Sequence, residues 1–316
     1  MSKILVTTDY SHPGSEADAV LVRAGHQVAY RTGGDAAALA GVEGAIVAND
    51  PLTARVLEQA GSLRAIVRAG VGYDSVDVEA ATRLGIRVSN LPGVNSNAVA
   101  EYTMGLLLAA ARGLVDLARG VGEGGWPRRS GRELRGAVLG LVGYGPAARA
   151  VVPLARAFGM RVLCTTRYPD PAARELRFTG LAELLRESDY VSVHTALGPA
   201  TRHLFGADAF AAMKPTAVLV NTARGGIVDE AALVRAVSTG QIAGAQLDVA
   251  GTEPLPADSP LRGVEGITVY SHMAGQTAEA RRAADIGAAH ELLAALRGEP
   301  ASPVNHPAGR TGADEP

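Results

Sequence analysis

Ala137-Val138-Leu139-Gly140-Leu141-Val142-Gly143-Tyr144-Gly145-Pro146-Ala147-Ala148 is the stretch that decides the fold. Its first six residues are a short unbroken apolar run, which suits a strand buried on both faces of a parallel sheet. Two glycines follow one residue apart, and Ala147 to Phe158 then reads as a helix in which Pro153 marks a point of kinking. A strand, a glycine-rich turn ending on Ala148 and a helix match the Gly-x-Gly-x-x-Gly/Ala dinucleotide fingerprint. The glycines let the backbone turn tightly and come close to a pyrophosphate, which sits on the positive end of the helix. A glycine-rich turn alone is a weak signal, because such turns follow many strands. The strand before it and the helix after it favour the nucleotide reading.

Working outward, strands and helices alternate on both sides of this stretch. Upstream, Ile4 to Thr8, Gln27 to Tyr30, Ala45 to Ala48, Ala65 to Arg68 and Arg87 to Ser89 read as strands. Ser15 to Ala24, Thr53 to Ala60 and Val76 to Leu84 read as the helices between them. Alternation at this spacing predicts βαβ units and a parallel sheet covered on both faces. Asn97 to Arg112 reads as a long apolar helix, too short to span a bilayer and better suited to burial or an interface. Gly120 to Gly131 reads as a glycine-rich surface segment carrying Trp126. Downstream of Ala137, further strands fall near 161–165, 190–194, 217–221, 243–248 and 267–270, giving six strands for a doubly wound domain. A last helix, Thr277 to Leu296, ends at Gly298 and reads as a return of the chain to the first sheet. Residues 306–316, rich in Gly, Pro and charge, read as a disordered tail.

Three later segments carry chemistry. They are Asn221-Thr222-Ala223-Arg224-Gly225-Gly226-Ile227-Val228-Asp229, Asp248-Val249-Ala250-Gly251-Thr252-Glu253-Pro254 and Ser271-His272-Met273-Ala274-Gly275-Gln276-Thr277. An arginine presents a planar fork of donors that clamps a carboxylate at two points. A histidine passes a proton near neutral pH, and a carboxylate beside it favours its charged form. With a hydride-carrying cofactor these groups suffice to reduce a 2-keto acid. Singly, each residue has a plain structural reading: Arg224 as a surface ion pair, Glu253-Pro254 as a turn, His272 as a satisfied histidine at a strand end. The ordered trio after a nucleotide fingerprint favours the catalytic reading.

Composition bounds the remainder. The chain of 316 residues is long enough for two cores, and its formal net charge of -2 supplies no basic field for nucleic acid. Its one cysteine, Cys164, excludes an internal disulfide and suits a reducing, cytoplasmic setting. Lys3 is followed at once by the short strand Ile4 to Thr8, with no apolar helical leader behind it.

Several long motifs in order carry a resemblance. Arg68-Ala69-Gly70-Val71-Gly72-Tyr73-Asp74-Ser75-Val76-Asp77, Val99-Ala100-Glu101-Tyr102-Thr103, the glycine fingerprint, Val193-His194-Thr195 and the three later segments resemble the D-isomer-specific 2-hydroxyacid dehydrogenase family. The resemblance runs over residues 1–305 and is greatest to the 3-phosphoglycerate dehydrogenase and hydroxypyruvate/glyoxylate reductase branches. It implies an α/β protein of two Rossmann-like, doubly wound parallel-sheet domains with a cleft between them. A discontinuous, flavodoxin-like substrate domain would take residues 1–98 and 285–305, and a dinucleotide domain residues 99–284. The implied enzyme is an NAD(P)-dependent oxidoreductase that interconverts a small 2-keto acid and its D-2-hydroxy acid. Arg224 would bind the carboxylate and keto oxygen, His272 would be the acid/base, and Glu253 would pair with it. Cofactor contacts are expected from Thr103, Gly143, Tyr144, Gly145, Pro146, Ala147, Thr166, Arg167, His194, Thr195, Thr222, Ala223, Asp248 and Gly275. Substrate contacts are expected from Arg68, Val71, Gly72 and Arg224. No metal, membrane or nucleic acid is implied, and the apolar Asn97–Arg112 helix points to a homodimer.

Some positions depart from the family's pattern. Ser271 stands where a proline is usual, Ala250 where an aromatic is common, and Ala196 where a proline is common. At the end of the second strand of the dinucleotide domain, NAD-using relatives carry an acid that accepts from the adenosine ribose. Here Thr166 and Arg167 occupy that place, and no carboxylate appears until Asp170. A neutral residue followed by arginine suits a ribose 2′-phosphate, so NADP(H) is preferred, with NAD(H) as the alternative if Asp170 substitutes. Arg68 adds a second cation, which suits a phosphate- or phosphonate-bearing substrate, although a solvated arginine fits equally well. Two other readings share this scaffold: a non-catalytic NAD(P)H-sensing protein and a formate- or phosphite-type dehydrogenase.

Overall fold

The computed structural model describes residues 1–31 and 33–307. Residues 308–316, most of the segment read as a disordered tail, lie outside the described residues. The described residues divide into two compact units, 1–95 with 277–307, and Ser96–Gln276.

The first unit is built on five parallel strands: β1 (Lys3–Val6), β2 (Gln27–Tyr30), β3 (Gly44–Val47), β4 (Ala65–Arg68) and β5 (Arg87–Ser89). They are ordered β2-β1-β3-β4-β5, all pairs parallel, as the alternating pattern predicts. Successive side chains of a strand point to opposite faces, so a sheet covered on both sides needs apolar residues at every position. Ile4, Val6, Ile46, Ala65 and Val67 pack on one face, and Leu5, Ala45, Val47, Ile66 and Val88 on the other. Three helices, α1 (Glu16–Arg23), α2 (Ala54–Glu58) and α3 (Val78–Arg83), connect the strands. The side chains of Ser15 and Asp77 cap α1 and α3 by accepting backbone N–H groups, each cap worth about 1 kcal/mol.

The second unit holds seven parallel strands rather than six. They are β6 (Val138–Val142), β7 (Arg161–Thr165), β8 (Arg177–Phe178), β9 (Tyr190–Val193), β10 (Val218–Asn221), β11 (Gly244–Leu247) and β12 (Ile267–Val269). The order is β12-β11-β10-β9-β6-β7-β8. The additional strand, β8, is two residues long and pairs Arg177 with Leu163 and Phe178 with Cys164. A two-residue edge strand has no periodicity to read. Chain order reverses at β6, which has β7 on one side and β9 on the other. In open parallel sheets ligands bind at such a reversal, outside the carboxyl ends of the strands.

Helices α4 (Ser96–Arg112), α5 (Leu114–Gly122), α6 (Pro146–Ala157), α7 (Leu181–Glu187), α8 (Ala207–Ala211) and α9 (Glu230–Ser238) belong to this unit. The apolar side of α4 is internal: Met104, Leu106 and Leu107 are buried with Leu139, Leu141 and Val151. Pro153 lies on the exposed side of α6, and the helix runs through it unbroken. Helix α5 occupies residues that composition gave no reason to call helical. It leaves α4 at 66° through Gly113, whose φ of 61° is left-handed, and none of its residues is buried. Among the described residues no single helix is long and apolar enough to cross a membrane.

The last helix, α10 (Ala278–Arg297), belongs to the first unit. Its Ala288, Ala289, Leu292, Ala295 and Leu296 join the cluster containing Ile4, Val6 and Val67. Leu292 lies so close to Gly44 that a Cβ on this glycine would meet Leu292 Cδ1 at 3.2 Å.

Candidate active site

The glycine turn follows β6 directly. Gly143, with φ at +102°, donates its N–H to Thr165 O at 2.8 Å, and His194 N bonds Val142 O at 2.8 Å. A Cβ on Gly143 would meet His194 O at 2.5 Å, whereas one on Gly145 would meet nothing within 4 Å. The first glycine thus lets β6 and β9 close on each other, and the second keeps the mouth of the turn open. Gly145 caps α6 without a side-chain bond, Pro146 occupies its first turn, and no acidic residue stands there. The positive helix end is left for an anion, so these residues fit a dinucleotide pyrophosphate.

Arg224, Glu253 and His272 follow the carboxyl ends of β10, β11 and β12 of the same sheet. Buried Asn221 shapes the first loop: its Nδ2 donates to Arg224 O at 2.9 Å and its Oδ1 accepts from Ala223 N at 3.0 Å. Arg224 Nη1 donates to Ala223 O at 2.8 Å. A Cβ on Gly225 would strike Ala250 C at 1.9 Å, so only glycine lets the Arg224 loop touch the Ala250 loop.

His272 Nδ1 lies 2.7 Å from Glu253 Oε2, the histidine half-buried and the glutamate exposed. Burial pushes the Glu253 carboxyl up, but its bonds to His272 and Ala250 N–H, with the charges of His272 and Arg224, bring it below the usual carboxylate range. Arg224 therefore lies close enough for its charge to act on Glu253.

His272 itself has a φ of 59°, a left-handed conformation that a non-glycine residue adopts only when held. The holding group is Asp248. Its carboxylate accepts from Met273 N and Ala274 N, each at 2.8 Å, and its carbonyl accepts from His272 N at 2.8 Å. Asp248 is fully buried, and the nearby Tyr102 hydroxyl is raised to about 12 by burial and then by the Asp248 charge. Asn221 and Asp248 thus support the trio from behind, a role sequence reasoning missed. The available signal was the short polar side chain at the end of each strand, a residue type that bonds nearby backbone.

The other expected cofactor residues line the same sheet ends. Thr103 Oγ1 lies 3.4 Å from Thr222 Oγ1, both buried. His194 Nε2 lies 2.9 Å from Ser192 Oγ, and burial drops its imidazole to about 4. Thr195, Ala223 and Gly275 are half-buried. Past β7, Thr166 Oγ1 accepts from Tyr168 N at 3.3 Å, and the Arg167 guanidinium stands 5.5 Å from the Tyr168 ring. Asp170 is held by Arg149 at 2.8 Å. Among the described residues no group of three or more His, Cys, Asp or Glu is arranged to hold a metal.

In the first unit, Arg68 ends β4. Its guanidinium bonds Asn49 Oδ1 and lies over Gly70, where a Cβ would meet Nη1 at 1.6 Å. Val71 O accepts from Asn90 Nδ2 at 2.6 Å, and the Val71 side chain is exposed.

Residues 104–274 match the model for the NAD binding domain of D-isomer specific 2-hydroxyacid dehydrogenases. A glyoxylate reductase of Korarchaeum cryptofilum is 41% identical over 263 residues, 79% of this chain and 78% of the relative. An (S)-sulfolactate dehydrogenase of Chromohalobacter salexigens is 43% identical over 247 residues, 76% of this chain and 80% of the relative. A crystal structure of a Thermus thermophilus protein is similar at a TM-score of 0.87 and 39% identity, covering 96% of this chain and 100% of that one. With an NAD-binding parallel sheet and relatives of this identity and coverage, the chain is an oxidoreductase and belongs to the D-isomer specific 2-hydroxyacid dehydrogenase family.

Proposed function

We propose that the chain reduces a small 2-keto acid to its D-2-hydroxy acid, with NADPH as the preferred reductant. The observation that carries this reading is the 2.7 Å pair of His272 Nδ1 and Glu253 Oε2, with the Arg224 charge acting on Glu253. The bound nicotinamide supplies hydride. The Arg224 fork holds the substrate carboxylate at two points and orients the carbonyl. Glu253 accepts a hydrogen bond from Nδ1–H and fixes the ring, which leaves Nε2 to give a proton to the carbonyl oxygen. In the oxidative direction neutral imidazole takes the hydroxyl proton back. Arg224 and the imidazolium both stabilise negative charge as it develops on that oxygen.

On the cofactor side, Gly143 to Ala147 would receive the pyrophosphate. Thr103, His194, Thr195, Thr222, Ala223 and Gly275 would line the nicotinamide half with buried Asp248 holding the wall behind them, and Thr166 with Arg167 would take the adenosine 2′-phosphate. The preference for NADPH is supported by the absence of a carboxylate at Thr166 and by the engagement of Asp170 with Arg149. We also propose Arg68, Val71 and Gly72 as substrate contacts, with Arg68 for a second anionic group. The similarity to a sulfolactate dehydrogenase supports this, since sulfolactate is a 2-hydroxy acid with a second anion. The buried single cysteine suits a cytoplasmic enzyme.

A homodimer is proposed on a different surface from the one composition indicated. The apolar residues of α4 are consumed inside their own unit, whereas Leu114 and Val121 of α5 are 52% and 48% exposed and Trp126 is 81% exposed. Large apolar side chains exposed on and just after one helix favour association.

The test is an initial-rate screen of NADPH and NADH against glyoxylate, hydroxypyruvate, pyruvate, phosphonopyruvate and 3-phosphohydroxypyruvate. Turnover of at least one with D-configured product, and faster with NADPH, is expected. No turnover of any 2-keto acid would overturn the proposal.

A further inference from the structure

The loop that leaves β7 is tied to the first turns of α6 by a small network. Arg149 directly follows the glycine fingerprint, one helical turn beyond Gly145. Its Nη1 donates to Asp170 Oδ2 at 2.8 Å, and its guanidinium lies over the Tyr144 ring, 4.4 Å from the centroid. Tyr144 meets Phe178 of β8 edge to face, at 5.3 Å and 84°. The second carboxylate oxygen of Asp170 accepts from Ala172 N at 3.0 Å. Both oxygens of the first carboxylate after β7 are therefore engaged, and its charge is matched by a guanidinium. Glu175 also reaches Tyr144 with its charge but is itself exposed.

An acid at this end of a dinucleotide domain has two effects on the adenosine ribose. It accepts from a free 2′-hydroxyl and repels a 2′-phosphate. We infer that the Arg149–Asp170 pair is a cofactor-specificity lock: Arg149 neutralises and holds Asp170, so that this carboxylate, the first after β7, neither repels a 2′-phosphate nor accepts from the ribose. Arg149 is then a positioning residue, acting on selectivity through Asp170 rather than by gripping the phosphate. The inference rests on the reading of Thr166 and Arg167 as the 2′-phosphate end of the site.

The unloaded protein tests it, by calorimetric titration with NADP⁺ and with NAD⁺. The quantity compared is the ratio of the two Kd values, in wild type, Arg149→Ala, Asp170→Ala and the double variant. Both side chains have substantial exposure, so folding is not at stake. Arg149→Ala should move the ratio toward NAD⁺ by about tenfold, the size of a contact-range repulsion between a carboxylate and a phosphate in a well-solvated site. Asp170→Ala should leave the ratio within about threefold of wild type. The double variant should return to the wild-type ratio within the same margin, because the released carboxylate is gone.

A double variant that keeps the full Arg149→Ala shift would make Arg149 a direct phosphate ligand and overturn the lock. So would an unchanged ratio, or one moved toward NADP⁺, in Arg149→Ala. Failure of the NADPH reading is separately visible, as a wild-type ratio that favours NAD⁺. The shifts between variants still judge the lock in that case.

Discussion

The Arg224 fork ought to be the least replaceable cation in the second unit. Its loop is fixed by buried Asn221 and by a glycine that must touch Ala250, so the guanidinium is aimed rather than merely charged. Arg224→Lys keeps the charge and loses two-point orientation. Both KM and kcat for a 2-keto acid should worsen, together by at least about tenfold in kcat/KM. Unchanged kinetics would mean that the carboxylate is held elsewhere. A second residue-scale expectation concerns stability. Burial takes the His194 imidazole from 6.5 to about 4 in the folded chain. Between those values the unfolded chain binds a proton that the folded one refuses, so stability is lost as pH falls through this window and is regained above it. Denaturant midpoints at pH 7 and pH 5 should show wild type losing about 1–2 kcal/mol more than His194→Asn. An equal loss in both would contradict the neutral ring.

At the scale of elements, the carboxyl ends of β7 and β10 to β12 carry the argument. Thr166→Asp should push cofactor preference toward NADH, by repelling a 2′-phosphate and accepting from ribose hydroxyls. Arg167→Ala should erode the NADPH preference by about ten- to a hundredfold, the worth of a charge-assisted contact. Paired kcat/KM values for the two cofactors check both, and a variant pair with the wild-type ratio would remove this strand end from cofactor choice. The strands were readable because a sheet covered on both faces writes each of them as an apolar run: Ile4 to Val6, Ala65 to Val67, Val138 to Val142. The trio was readable because each member sits among small turn residues at the end of such a run. What could not be read depends on three-dimensional neighbours. Strand β8 is too short to have a period, and α5 mixes glycine with apolar residues. The left-handed His272 exists only because Asp248 holds its loop from another strand. The Arg149–Asp170 pair joins residues 21 apart, which no local pattern announces.

At the scale of the whole molecule, composition left Asn97–Arg112 to burial or to an interface, and the structure buries its apolar side. Helix α4 spends its apolar residues inside the second unit, and the exposed ones lie on α5 and at Trp126. If this surface joins two copies, light scattering at micromolar concentration should give twice the chain mass, and Leu114→Glu with Trp126→Glu should give a single chain mass. A wild-type monomer would remove the dimer from the account. The central claim is narrower: that His272 moves the proton when a 2-keto acid is reduced. Its most direct test is the kcat of His272→Ala against wild type on the best keto acid of the screen, with NADPH binding followed in parallel. The account predicts a loss of at least about a hundredfold in kcat with cofactor affinity nearly unchanged. Near-wild-type turnover of the variant, in an assay limited by chemistry, would contradict it.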